Sequence, residues 1–269
     1  MAKKVKTLKN NICPLTWTDL TELPMSEVST EHVIPKACFS DGWKANEPWV
    51  VSTLGSANNA ASHLESQFGA LVTACANMGH DPEKADSILK ASISRMNSNQ
   101  KLTRDFVNGV IAKTGKIVLI KSPLSVEDIS IVLTKMVRCI HLKKFKEVIP
   151  RDVKIELIGH LPRPYQLAST VSKMNNRFSI KDNEFVCWVS TVVDDDFSDQ
   201  FKFWILCFQQ ASTYLMLQGT EEDMQNFDQG KENRAKSLTR KALTNDSSKS
   251  KFRTLMNGTS IKAIAIKIV

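Results

Sequence analysis

Lysine and arginine stand in three groups along the second half of this sequence. Lys135, Arg138 and His141 share one face of a helical pattern, opposite its apolar stripe, and Lys143, Lys144 and Lys146 carry the charge past the last apolar turn. Arg163, Lys173 and Arg177 fall on the polar side of a second pattern, and Lys231, Arg234, Lys236, Arg240 and Lys241 follow at helical intervals. Cations repeated in this way suit many modest contacts along a phosphate backbone rather than one precise site. Tyr165 and Phe178, next to two of the groups, offer aromatic faces on which an unpaired base can stack. Any one group also reads as an ordinary solvated helix face, so it is the three together that point to nucleic acid.

Other chemistry is thinly represented. Asp152-Val-Lys154, with Glu127-Asp128 upstream, is similar to the Asp…(Asp/Glu)-x-Lys arrangement of metal-dependent nucleases. In those enzymes carboxylates hold the metal that activates water, and the lysine stabilises developing charge. Asp128 already has a helix-capping role in the pattern, so the nuclease is an alternative and not the main reading. Asp194-Asp195-Asp196 clusters the oxygens a hard cation wants, but consecutive side chains point apart, and a solvated turn is expected. The five histidines are dispersed, and the six cysteines contain no CxxC pair, so the thiols read as reduced core residues. No P-loop, GxGxxG, HExxH, GxSxG or EF-hand pattern occurs. No catalytic residue, metal, cofactor or small-molecule substrate is expected.

The elements that must position these residues read as mostly helical. Residues 1–55 are rich in Pro and carry Trp17, Trp43 and Trp49, which predicts an irregular arm that packs onto something, such as a neighbouring subunit. Ala61, Leu64, Phe68, Leu71, Val72, Cys75 and Met78 give one helical face. Asp81-Pro82 opens a second helix, and Leu102 to Lys113 is a third. Lys116–Lys121 and Val153–Ile158 are β-branched, apolar and strand-like, and could pair with each other. Ser125-Val-Glu-Asp128 is a capping box that starts a helix with Val126, Ile129, Leu133, Met136, Val137 and Ile140 toward the core. Arg163-Pro164 begins another helix, through Met174. Phe185–Val193 is ambiguous. Ser198 is expected to cap a long central helix through Leu217.

The expected fold class is therefore mainly α: a two-lobed helical domain with a minor β element and extended terminal arms. Its parts would be an arm over 1–55, lobes over 56–150 and 151–250, and a second arm over 251–269 ending in IKAIAIKIV.

Lysines and arginines number 36 against 28 aspartates and glutamates, a formal net charge of +8 that favours polyanionic partners. The N-terminus has no apolar run of the signal-peptide kind. The most apolar stretch, Phe203–Leu217, is broken by Gln209 and Gln210 and falls short of the ~20 residues a membrane span needs. A cytoplasmic protein is expected.

In outline the chain resembles the nucleocapsid proteins of segmented negative-strand RNA viruses. The resemblance lies in size, basic charge, helical content and two arm-like ends, and involves no matched motif. It implies single-stranded RNA in a groove between lobes, homo-oligomers joined through the arms, and a place in a virion. The same lysines with the apolar tail would also suit a matrix-type scaffold on an anionic membrane.

Overall fold

The computed structural model describes residues 8–39, 49–78, 110–113, 116–120, 124–161, 174, 176–180, 183–191 and 196–230. Its elements in chain order are β1 (Val28–His32), a 3₁₀ turn (Lys36–Cys38), β2 (Val50–Leu54), α1 (Gly55–Met78), β3 (Val110–Lys113), β4 (Lys116–Ile120), α2 (Val126–Phe145), β5 (Lys154–Leu161), β6 (Asn176–Ile180), β7 (Phe185–Thr191), β8 (Lys202–Phe208), β9 (Ser212–Gly219) and α3 (221–230). The chain forms two compact units. The first comprises 1–151 with two insertions from later in the chain, 179–185 and 207–212. The second is the remainder of 152–269.

In the first unit β1 and β2 pair antiparallel, Val28 opposite Leu54 and His32 opposite Val50. β2 runs directly into α1, and the Gly55 amide donates to the Glu27 carbonyl at 2.8 Å. α1 crosses close to the 3₁₀ turn at Gly69, where a Cβ would meet the Ala37 carbonyl carbon at 2.6 Å and its oxygen at 2.7 Å. Only glycine allows that approach. Further along α1, Phe68 meets Phe208 edge-on at 5.3 Å, and Phe208 meets Phe185 at 5.1 Å. α2 starts at the expected capping box. The Asp128 amide donates to Ser125 Oγ at 3.1 Å, and the Ser125 amide to Asp128 Oδ2 at 3.0 Å. Leu133, Met136, Val137 and Ile140 are buried as predicted, whereas Val126 is 64 % exposed.

The second unit holds a five-stranded antiparallel sheet in the order β5-β9-β8-β7-β6. β9 is buried along its whole length, and six of the seven residues of β8 are buried. Phe201, Phe203, Ile205, Leu215 and Leu217 form a core with Met224 of α3, flanked by Ile158, Trp188 and Phe227. Asp223 fastens the start of α3. Its carboxylate accepts from the Ser198 amide (2.7 Å), Ser198 Oγ (2.6 Å), the Thr220 amide (2.7 Å) and Thr220 Oγ1 (2.9 Å).

The mainly helical expectation is wrong. The described residues hold three helices together with antiparallel sheets, 37 % helix against 32 % strand, so their fold is α+β. The largest error is the central helix expected from Ser198 to Leu217, which is the β8–β9 hairpin. Strands buried on both faces read as unbroken apolar runs and lose the alternation that marks half-buried ones. The turn lacks glycine: Gln209 and Gln210 both take positive φ, 48° and 55°, and Ala211 N–H closes it onto the Phe208 carbonyl at 3.0 Å. The ambiguous segment is strand β7, residues 110–113 are a strand and not a helix end, and Arg177 lies on strand β6. The two predicted strands do not pair with each other, since β4 pairs β3 and β5 pairs β9.

The N-terminal stretch is no extended arm over its described residues. It contributes β1, and Cys13, Leu20, Val28, Val33, Ile34 and Phe39 are buried in the first unit. The helix expected after Asp81, the start of the one after Arg163 and the tail over 251–269 lie outside the described residues.

Candidate nucleic-acid interface

α2 ends in a turn built from lysine. Lys146 caps it with φ 65° and ψ 17°, and its amide donates to the Leu142 carbonyl at 2.9 Å. Glycine or asparagine usually fills such a left-handed cap, and a residue with a larger side chain costs about 1–2 kcal/mol there. Part of the return is local. Lys146 Nζ donates to the Lys143 carbonyl at 3.1 Å, and cations near a helix C-terminus offset its partial negative charge.

A second stretch is fixed beside this turn by an asparagine side chain acting as a strand would. Asn10 Nδ2 donates to the carbonyls of Ile12 and Ser52, both at 2.8 Å, and Asn10 Oδ1 accepts from the Ser52 amide at 2.7 Å. The Lys9 amide donates to Ser52 Oγ at 2.8 Å. Residues 9–12 are thus tied to β2.

Between these parts lies a cleft of about 410 Å³. Val50, Val51, Leu142, Val148 and Ile12 give it apolar walls, and Lys9, Lys143, Lys146, Asn10 and Asn11 give it polar ones. No acidic residue lines it among the described residues. Asn10 is used up in holding the stretch to β2, and the three cations with the Asn11 side chain around an apolar floor suit a phosphate with the sugar or base attached to it.

The other expected positions separate. Lys135 is not on an open face but 6 % exposed inside the first unit. Its Nζ lies 2.6 Å from Glu65 and 3.2 Å from Glu31 and donates to Asn58 Oδ1 at 3.1 Å. Its charge is neutralised within the fold, so it is no free phosphate ligand. Burial, and then the neighbouring Glu65, push the Glu31 carboxyl up to about 7. His141 is also buried, with Nδ1 3.0 Å from the Glu147 carbonyl. Arg138 is half-buried with its guanidinium 4.5 Å from the centre of the Trp17 ring. α2 is covered on more sides than its own pattern indicates, because α1, β1 and the 9–20 stretch pack around it. Lys144 is exposed next to the cleft residues. Arg177, on the second unit, stands 6.0 Å over the Trp188 ring, and Phe178 is buried and cannot stack a base. Arg163, Tyr165, Lys173, Lys231, Arg234, Lys236, Arg240 and Lys241 lie outside the described residues.

The sequence matches no protein-family model, no curated protein and no solved structure.

Lys9 and the two asparagines were missed from sequence. Their signal was weak, since a single lysine beside Asn10-Asn11 gains meaning only from the tie to Ser52, 42 residues away.

For the nuclease alternative, Asp128 is engaged in the helix cap and Lys154 forms an ion pair with Glu221. Among the described residues no three His, Cys, Asp or Glu side chains group to hold a metal. Cys13, Cys38, Cys139, Cys187 and Cys207 are buried, and burial pushes the Cys38 and Cys187 thiols well up. No described helix is long and apolar enough to cross a membrane.

Proposed function

We propose that the protein binds single-stranded RNA through its phosphate backbone, without reading sequence, and that its role is binding and not catalysis. The observation that carries this reading is the cleft at the end of α2, where Lys143 and Lys146 of that helix end and Lys9 of a separate stretch line one concavity. The resemblance to nucleocapsid proteins adds little now, because the helical layout on which it leaned is not this fold. RNA is favoured over an anionic membrane because the cations surround a concavity. Among the described residues the large exposed apolar side chains, Met25, Val126 and Ile131, are scattered and form no inserting face. Self-assembly through the apolar tail at 261–269 belongs to the same proposal and rests on that tail's sequence. The cytoplasm, or a virion, is the compartment this role implies.

The test is affinity for oligouridylate against salt. Binding should weaken steeply between about 50 and 200 mM salt, by roughly 0.7 log units per log unit of salt for each phosphate neutralised. Paired Lys143→Glu and Lys146→Glu should reduce it far more than paired Lys3→Glu and Lys4→Glu. Affinity flat with salt, or equal effects from the two pairs, would end the proposal. Flotation with phosphatidylserine vesicles and no RNA retardation would favour the membrane instead.

A further inference from the structure

One residue of β2 turns an open backbone edge toward the cleft. Opposed residues of an antiparallel ladder alternate between hydrogen-bonded and unbonded pairs. Where the β1–β2 register continues past its ends, the Val33 amide donates to the Trp49 carbonyl at 2.9 Å and the Gly55 amide to the Glu27 carbonyl at 2.8 Å. The bonded pairs are therefore the odd-numbered ones, and Val50, Ser52 and Leu54 turn N–H and C=O away from β1. At Ser52 the Asn10 side chain takes both groups, accepting from the amide at 2.7 Å and donating to the carbonyl at 2.8 Å. The Leu54 amide donates to Cys13 Sγ at 3.3 Å. Neither backbone group of Val50 has a partner among the described residues. Val50 is only 9 % exposed, and backbone groups so withdrawn from water are nearly always bonded. It lines the cleft together with Asn10, which occupies the same edge two residues further along.

We infer that the Val50 backbone holds a nucleobase of the RNA strand by its edge, as the Ser52 backbone holds the Asn10 amide. This rests on the RNA reading above. A carboxamide sets one acceptor beside one donor, and an extended residue sets its N–H beside its C=O, so the two join by a pair of bonds. The Asn10 contact is that pairing, made within the fold. Each base carries a comparable edge once it is unstacked: N3–H and O4 in uracil, N1–H and O6 in guanine, N6–H and N1 in adenine, N4–H and N3 in cytosine. The contact thus accepts any base, in keeping with binding that reads no sequence.

The other walls suit the rest of a nucleotide. Ile12, Leu142 and Val148 are apolar and can cover the face of a base, as apolar side chains do in pockets that take an unstacked base. Lys9, Lys143 and Lys146 bring positive charge for the attached phosphate. A volume of about 410 Å³ falls within the range of pockets that hold one small ligand.

The test compares three short oligomers of equal length on the full chain: uridylate, 3-methyluridylate and 5-methyluridylate. Methylation at N3 removes the donor that the Val50 carbonyl would accept from, and methylation at C5 adds the same bulk off that position. The phosphates are identical, so the three salt slopes should match. 3-Methyluridylate should bind about tenfold more weakly than uridylate, the low end for a bidentate base contact, and 5-methyluridylate should bind as uridylate does. At equal saturation uridylate should slow hydrogen exchange at the Val50 amide more than 3-methyluridylate does. Paired Lys143→Ala and Lys146→Ala should weaken all three oligomers alike. If the three bind equally while the lysine pair weakens them, the base contact is refuted and the phosphate reading stands. Equal weakening by both methyl groups, or unchanged exchange at Val50, also refutes it. If none of the three binds, both readings fall.

Discussion

Lys135 and Glu65 meet at 2.6 Å between two helices, α2 and α1, with their side chains almost fully out of water. The same ammonium lies 3.2 Å from Glu31 on β1, so one cation serves two carboxylates where three elements converge. Two negative charges against one positive leave an excess that the interior disfavours, and a proton is the simplest remedy.

Stability should therefore fall as pH rises through neutrality. Burial first, and then Glu65, hold the Glu31 carboxyl at about 7, above its ordinary 4.5. Glu65 is raised as well, by burial. A carboxyl raised in the folded state contributes stability that is complete below about 4.5 and is lost as pH climbs through the folded value. Thermal melts between pH 5 and pH 8 should show Tm dropping by several degrees, and Glu31→Gln should flatten the trend. A Tm that rises over that range in the wild type contradicts the assignment.

Removing the cation should cost more than removing the whole cluster. Lys135→Met strands two buried carboxylates and should destabilise by about 3–5 kcal/mol in urea titrations. Adding Glu31→Gln and Glu65→Gln to that variant should recover most of the loss. No recovery would mean that Lys135 acts through packing alone.

Gly69→Ala should be among the most damaging single methyl additions. The new Cβ would meet the Ala37 backbone at 2.6 and 2.7 Å, and backbone yields less readily than a flexible side chain. A loss of about 2 kcal/mol or more is expected by chemical denaturation, against a few tenths at Gly230, whose Cβ direction is open.

The two glutamines of the β8–β9 turn should respond in opposite directions. Gln210→Gly relieves a positive φ and should stabilise by roughly 0.5–1 kcal/mol. Gln209→Gly relieves the same strain but loses the bonds from Nε2 to the Cys38 carbonyl at 2.8 Å and to Thr73 Oγ1 at 3.3 Å. It should come out neutral or destabilising. Equal gains at both positions would show that those bonds contribute nothing.

What could be read from the sequence was local. The face of α1, the capping box at Ser125 and Asp128, and the β-branched runs of β4 and β5 depend on neighbours within a few residues. What could not be read depends on distant partners. Lys135 looked like a surface cation because Asn58, with Glu31 and Glu65 around it, belongs to another part of the chain, 77 residues away. The β8–β9 hairpin read as a helix because both its faces are covered and Gln209-Gln210 carries none of the usual turn residues. Of the cleft at the end of α2, Lys143 and Lys146, with Lys144 between them, were legible as a basic run. Lys9 was not, since its place beside them depends on the bonds from Lys9 and Asn10 to Ser52, more than forty residues away.

The first unit is closed by residues from far beyond its main stretch, with 207–212 supplying Phe208 against Phe68 and 179–185 supplying Phe185 against Phe208. That sets an order of events at the ribosome. The amino-terminal half can form α1 and α2 as it emerges, but the aromatic contact on Phe68 must wait until residue 208 has been made. A gene cut after Arg151 would then yield a polypeptide with an open apolar wound, prone to clump, rather than a separable module.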